Sequence, residues 1–71
     1  MKPVAFTKEY AVYVLDNRVY FEHNEYGDDD HICVYHDSQK RVHDYDGSYC
    51  MIPEAEEWLN ANGYDTSDIL G

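Results

Sequence analysis

Between Glu9 and His23, apolar and polar residues alternate with a period of two on either side of Asp16-Asn17. No other feature of the chain narrows its fold so far. Period two is the repeat of a strand, whose successive side chains point to opposite faces, and it does not fit the 3.6-residue repeat of a helix. Asp and Asn tolerate the left-handed backbone that a two-residue hairpin turn requires. With Asp16-Asn17 as the loop, Val14 pairs with Val19 and Val12 with Phe21, which puts all of them on one face. Tyr13, Leu15, Arg18, Tyr20 and Glu22 then share the other.

The segment Asn24 to Asp30 reads as a loop, because Gly27 supplies flexibility and Glu25, Asp28, Asp29 and Asp30 crowd like charge into adjacent positions. A second hairpin is expected from His31 to about Asp46, turning around Asp37-Ser38-Gln39-Lys40. Its register is open between two loops. A two-residue loop at Ser38-Gln39 groups Ile32, Val34, His36, Arg41, His43 and Tyr45, whereas a three-residue loop groups Ile32 and Val34 with Val42 and makes the better apolar face. Asp46-Gly47-Ser48-Tyr49 is turn chemistry. Pro53 suits the first helical position, where its missing N–H would be unpaired anyway. Glu54, Glu56 and Glu57 complement the helix dipole, and Ala55, Trp58 and Leu59 have the spacing of one buried stripe. Gly63 ends the helix as a left-handed cap. Asp65 or Thr66 then begins a short turn that returns Ile69 and Leu70 to the core. The expectation is one α+β domain over residues 1–71: a small antiparallel sheet of about four strands, in two hairpins, with one C-terminal helix packed on one face.

A chain of 71 residues, with eight tyrosines, two phenylalanines and one tryptophan, has a core only just large enough to offset chain entropy. Aromatic side chains help because each buries a large area for few torsions. Cys33 and Cys50 are too few for a disulfide scaffold. The N-terminal residues carry no apolar stretch or cleavage pattern, and no segment could span a bilayer, so a cytoplasmic location with reduced thiols is expected.

The candidate chemistry is thin. His31, Cys33 and His43 become a geometrically possible metal site if the three-residue loop sets Cys33 opposite His43, although paired Cys-x-x-Cys or His-x₃-His spacing is absent. The glycine of Asp44-Tyr45-Asp46-Gly47 is misplaced for a calcium loop, and no glutamate stands at the twelfth position. Ser48 and Cys50 near His43 lack an orienting third group and an oxyanion hole. No enzymatic activity and no cofactor are therefore expected. Tyr13, Tyr20 and Tyr35 would suit a base-stacking platform, but such modules need cations along the phosphate track. Arg18, Lys40 and Arg41 do not offset fifteen acids, so direct nucleic-acid binding is not expected and the tyrosines read as core or interface aromatics.

The charge balance is the functional signal. Fifteen acidic residues face five basic ones, a net charge of −10. A domain of this length is about 28 Å across, and a B-DNA segment of that length carries roughly 16 phosphates. Such a field steers a protein toward basic surfaces and away from nucleic acid. The candidate partner-binding residues are Glu25, Tyr26, Asp28, Asp29 and Asp30 in one patch, and Asp37, Asp44 and Asp46 in another, since none has an evident folding role. In size, acidic excess, sheet-plus-helix outline and the segment Glu25-Tyr-Gly-Asp-Asp-Asp30, the chain resembles the small acidic inhibitors of bacteriophages and mobile elements, including DNA-mimic anti-restriction and anti-CRISPR proteins. That resemblance implies a basic protein target, a nuclease or nucleic-acid-guided complex, blocked by carboxylates that stand in for phosphates. It is expected to act as a monomer or weak homodimer. The alternative is an acidic regulator or antitoxin-like accessory protein that dimerises through the tyrosine-rich sheet face.

Overall fold

The hairpin expected around Asp16-Asn17 sits inside a longer antiparallel meander. A computed structural model describes residues 2–47 and 51–70. Its strands are β1 (Ala5–Phe6), β2 (Tyr10–Leu15), β3 (Arg18–His23), β4 (Gly27–His36) and β5 (Val42–Gly47), followed by helices α1 (Pro53–Ala61) and α2 (Ser67–Leu70). The five strands lie in chain order in one sheet. The fold is α+β with a small antiparallel sheet, as the sequence indicated. Ser48, Tyr49, Cys50 and the Leu70 side chain, which entered the expectations above, lie outside the described residues.

The first hairpin has the expected register, with Val12 opposite Phe21 and Val14 opposite Val19. Val12, Val19 and Phe21 are fully buried, and Tyr10, Ile32, Val34 and Val42 join them in the core with Ala55, Leu59 and Tyr64. Leu59 and Ala55, one helical turn apart, face the sheet completely buried. Trp58 is only half-buried, its ring edge-on to Phe21 at 5.9 Å. Pro53 stands in the first helical turn with Glu54 and Glu56, and Gly63 has the expected left-handed backbone at φ 86°.

Three expectations are corrected. The sheet has a fifth strand, β1, and the tail forms a second short helix, α2. A two-residue strand carries no readable alternation; it is held by bonds at its flanks, from the Val4 N–H to the Val12 carbonyl (2.7 Å) and from the Thr7 N–H to the Tyr10 carbonyl (2.8 Å). Next, Asp28, Asp29 and Asp30 belong to β4 rather than to a loop. Glu22 pairs with His31 but the adjacent His23 pairs with Gly27, so the three aspartates are extra residues with no partner on β3. A bulge of this kind lets like charges diverge while the strand continues.

The third correction concerns the second hairpin. Near the turn it follows the three-residue loop: His36 pairs with Val42, the Asp37 N–H donates to the Arg41 carbonyl at 3.0 Å, and Lys40 takes the left-handed position at φ 62°. The register then shifts, so that Tyr35 pairs with Asp44, Val34 with Tyr45 and Cys33 with Asp46. His43 is the residue absorbed at the shift. Ile32, Val34 and Val42 still share the buried face.

Candidate protein-binding surface

The meander puts the β3–β4 corner at one end of the sheet and the β2–β3 and β4–β5 turns at the other. Charge is uneven between the two ends, although Asp16 and Asp37 stand at the opposite turns and Lys8 lies in the β1–β2 connection on the corner's side. Glu22, Glu25, Asp28, Asp29 and Asp30 gather at the corner, while Arg18, Lys40 and Arg41 stand beside the opposite turns. Lys40 lies over the Tyr64 ring, 4.9 Å from its centroid.

Two of the acids at the corner, Asp28 and Asp30, are placed by neutral donors. Tyr20, whose ring stacks on His31 at 5.4 Å, donates its hydroxyl to Asp28 Oδ1 at 2.7 Å. The His31 Nδ1–H donates to the Asp28 carbonyl oxygen at 2.8 Å. Tyr10 donates its hydroxyl to Asp30 Oδ1 at 2.9 Å. The Tyr20 bond holds the Asp28 carboxyl below the usual carboxylate range. Burial, followed by the bonds to Asp30 and Asp28, pushes Tyr10 and Tyr20 well above the ordinary tyrosine range. His23 orders the tip: its Nδ1 accepts the N–H groups of Glu25 (3.0 Å) and Tyr26 (3.2 Å), and its ring packs on Tyr26 at 4.8 Å. Glu25, Tyr26, Asp28 and Asp29 are exposed there.

The second predicted patch is divided. Asp37 is tied into its own turn, its Oδ1 accepting the N–H groups of Gln39 and Arg41, each at 2.9 Å. These bonds, the Arg41 one first, lower its pKa. Asp44 and Asp46 point to the same side of β5, away from the helix. Asp44 accepts the Tyr45 N–H and Asp46 the Gly47 N–H, each at 2.8 Å. Because alternate residues of a strand direct their N–H groups to opposite edges, and Asp44 and Asp46 face β4, the Tyr45 and Gly47 groups point outward. The two carboxylates therefore cap the free edge of β5. The tail covers the start of that edge, with the Val42 N–H donating to the Asp65 carbonyl and the Asp65 N–H to the Lys40 carbonyl, both at 2.8 Å.

The reading that these aspartates have no folding role is thus corrected. Asp28, Asp30, Asp37, Asp44 and Asp46 each accept a hydrogen bond, and of the predicted set Asp29 and Glu25 are the acids to which no such role falls. Sequence reasoning missed the donors Tyr10 and Tyr20 and the organiser His23, because bulge geometry brings them to the acids and leaves no mark in residue spacing. It also missed Glu54, which accepts the Thr7 hydroxyl and, at 2.8 Å, the Glu9 N–H. This bond pins α1 to the β1–β2 connection, beyond any dipole effect.

His31, Cys33 and His43 are not brought together. Cys33 is buried opposite Asp46, His43 lies at the register shift, and among the described residues no three metal-ligating side chains converge. Among the described residues, no helix is long and apolar enough to cross a membrane.

Among the described residues, no helix covers the sheet face opposite α1. Tyr13, Leu15, Arg18, Tyr20 and Glu22 line a shallow depression of ≈ 430 Å³ there, with the Tyr13 and Tyr20 rings edge-on at 6.4 Å. Cys33 and Tyr35 continue the face across β4, and Asp44 and Asp46 bound it on β5. On the other side, Phe6 pairs with Ala11 on this face and is 67% exposed. No protein-family model matches the chain, and no curated protein or solved structure matches it.

Proposed function

We propose that the chain is a small acidic protein-binding inhibitor, whose carboxylates occupy the cationic sites that a target keeps for nucleic-acid phosphates. One observation carries this reading: Asp28, Asp30, Asp44 and Asp46 are anchored by tyrosine hydroxyls and backbone N–H groups. Neutral donors fix position without cancelling charge, and groups ordered in advance lose less entropy on binding. A lysine or arginine partner would fix position and remove the charge as well.

The scale is suitable. The molecule measures 30 × 23 × 18 Å, and a duplex as long as the largest dimension carries about 18 phosphates against a net charge of −10. The acidic corner and the β5 carboxylates form the contact surface, and the target is a nuclease or a nucleic-acid-guided complex of the cytoplasm. The test is capture from host lysate on the immobilised chain, followed by elution with duplex DNA or with salt. Captured nucleic-acid-binding proteins should be displaced by DNA and lost as ionic strength rises. Partners that DNA does not displace would refute phosphate mimicry.

A further inference from the structure

The uncovered sheet face is graded in chemistry from one edge to the other. Toward β1 and β2 it presents Phe6, Ala11, Tyr13 and Leu15; toward β5 it ends in Asp44 and Asp46. Tyr20 and Cys33 lie between, with Arg18 on β3 toward one end and Glu22 toward the other, and with Asp28 hydrogen-bonded to Tyr20 at the acidic corner. We infer that this face is a docking site for a cationic amphipathic helix of a partner protein, its apolar stripe over Tyr13, Leu15 and Tyr20 and its Lys or Arg residues toward Asp44, Asp46 and Asp28. The inference rests on the reading of the chain as an acidic protein-binding module, and it names the part of the partner that is bound.

Three features select this occupant. The first is area. The four strands β2 to β5, each about 4.8 Å wide and at least six residues long, make a face of roughly 19 × 20 Å, or about 400 Å². A stable interface takes about 800 Å² from each partner, and this face supplies about half of that to any occupant. A helix seated on it is one part of a partner's contact, whereas a second copy held by this face alone would not form a stable dimer. Each copy also carries a net charge of −10, and the pairing would press like charge together. A helix of about 13 residues covers the same 20 Å length. It repeats on this face the layer that α1 already makes on the other.

The second feature is the closed edge. Strand addition at β5 is obstructed by Asp44 and Asp46, which occupy the outward N–H groups, and by the tail at Val42. Strand addition there is disfavoured, and β1, only two residues long, offers little to extend at the other edge, which leaves the face as the surface for a partner. The third is charge complementarity: apolar residues on one side and carboxylates on the other match a helix that is apolar along one stripe and cationic along its flank. An anionic or purely polar segment satisfies only half of this arrangement.

The probes are synthetic 18-residue peptides: a Leu/Lys sequence with helical apolar period, the same residues scrambled to abolish the stripe, a Lys/Ser sequence without apolar residues, and a Leu/Glu amphipathic sequence. Binding is followed by isothermal titration and by amide chemical-shift mapping on the full chain. The Leu/Lys helix should bind saturably, shifting amides of β2, β3 and β5, at least tenfold tighter than the scrambled peptide, with no binding of the Leu/Glu peptide. Tyr13→Glu with Leu15→Glu should weaken it at least tenfold. Asp44→Asn with Asp46→Asn keeps the edge-capping oxygens and should weaken it severalfold while leaving the circular dichroism unchanged, which guards against a variant that merely unfolds. Equal affinity for the Leu/Lys, scrambled and Lys/Ser peptides, or shifts confined to the acidic corner, would overturn the docking face but leave a module that binds basic partners. Failure of every cationic peptide to bind at low salt would overturn both readings. A stable dimer in light scattering at low protein concentration would assign the face to a second copy and refute the helix.

Discussion

Replacing Asp30 by Asn separates the structural use of the acidic corner from its charge. Asp30 accepts the Tyr10 hydroxyl at 2.9 Å, and Tyr10 is only 4% exposed. A hydrogen bond to a charged group is worth about 1.5–3 kcal/mol net, and a neutral one about 0.5–1.5. Asn keeps an acceptor oxygen, so the loss from the bond is about 1 kcal/mol. Removing a negative charge from a chain at −10 also relieves repulsion, which acts in the opposite direction. Asp29→Asn measures that relief alone, because no hydrogen bond falls to Asp29 at the neighbouring position. With an unfolding entropy near 2.1 cal/mol/K per residue, 1 kcal/mol corresponds to about 7 °C in a domain of this size. Calorimetry should therefore place the Tm of Asp30→Asn about 5–10 °C below that of Asp29→Asn. In a Tyr10→Phe background, itself destabilised by about 1–2 kcal/mol, the two substitutions should become equivalent, since a double-mutant cycle removes everything except the pair. If Asp30→Asn lost no more than Asp29→Asn in the native background, or if the gap survived Tyr10→Phe, the proposed anchoring of Asp30 would be refuted.

Leu59→Ala should cost about 2–5 kcal/mol, because Leu59 is fully buried between α1 and the sheet; urea titration by circular dichroism checks it, and a loss below 1 kcal/mol would contradict the packing of α1. The lowered pKa of Asp37 means that its contribution to stability is present above the unfolded carboxyl value of about 3.9 and is lost as pH falls through the lower folded value. The Tm gap between the native chain and Asp37→Ala should accordingly be widest at neutral pH and close on acidification below that value. Asp44→Ala with Asp46→Ala uncaps the outward N–H groups of β5 and should increase self-association in light scattering at high salt, where charge repulsion is screened. An unchanged scattering mass would argue against edge protection.

The first hairpin was legible because its whole specification is local. Period-two alternation and the Asp16-Asn17 turn decide which residues face each other, and Val12, Val19 and Phe21 are buried together as the pattern requires. The start and end of α1 were legible for the same reason, since Pro53 and Gly63 act through their own backbones. The second hairpin was legible only at its turn. The loop length follows from local chemistry, but the shift that sets Cys33 opposite Asp46 is settled across the strands.

The acidic excess is determined by the sequence alone: net charge is a sum over residues, and no fold changes it. What each carboxylate does was decided by tertiary structure. Asp28, Asp29 and Asp30 are equivalent in the sequence, yet the bulge carries one to Tyr20 and another to Tyr10, which lie 8 and 20 residues away in the chain. Asp44 and Asp46 become edge caps only because β5 is the last strand of the sheet. Hydrogen bonds form between groups brought within about 3 Å, and proximity between distant residues is a product of strand register and packing. Composition therefore established what kind of surface the chain presents, and the folded sheet established which acids are anchored, which are free, and which face remains open.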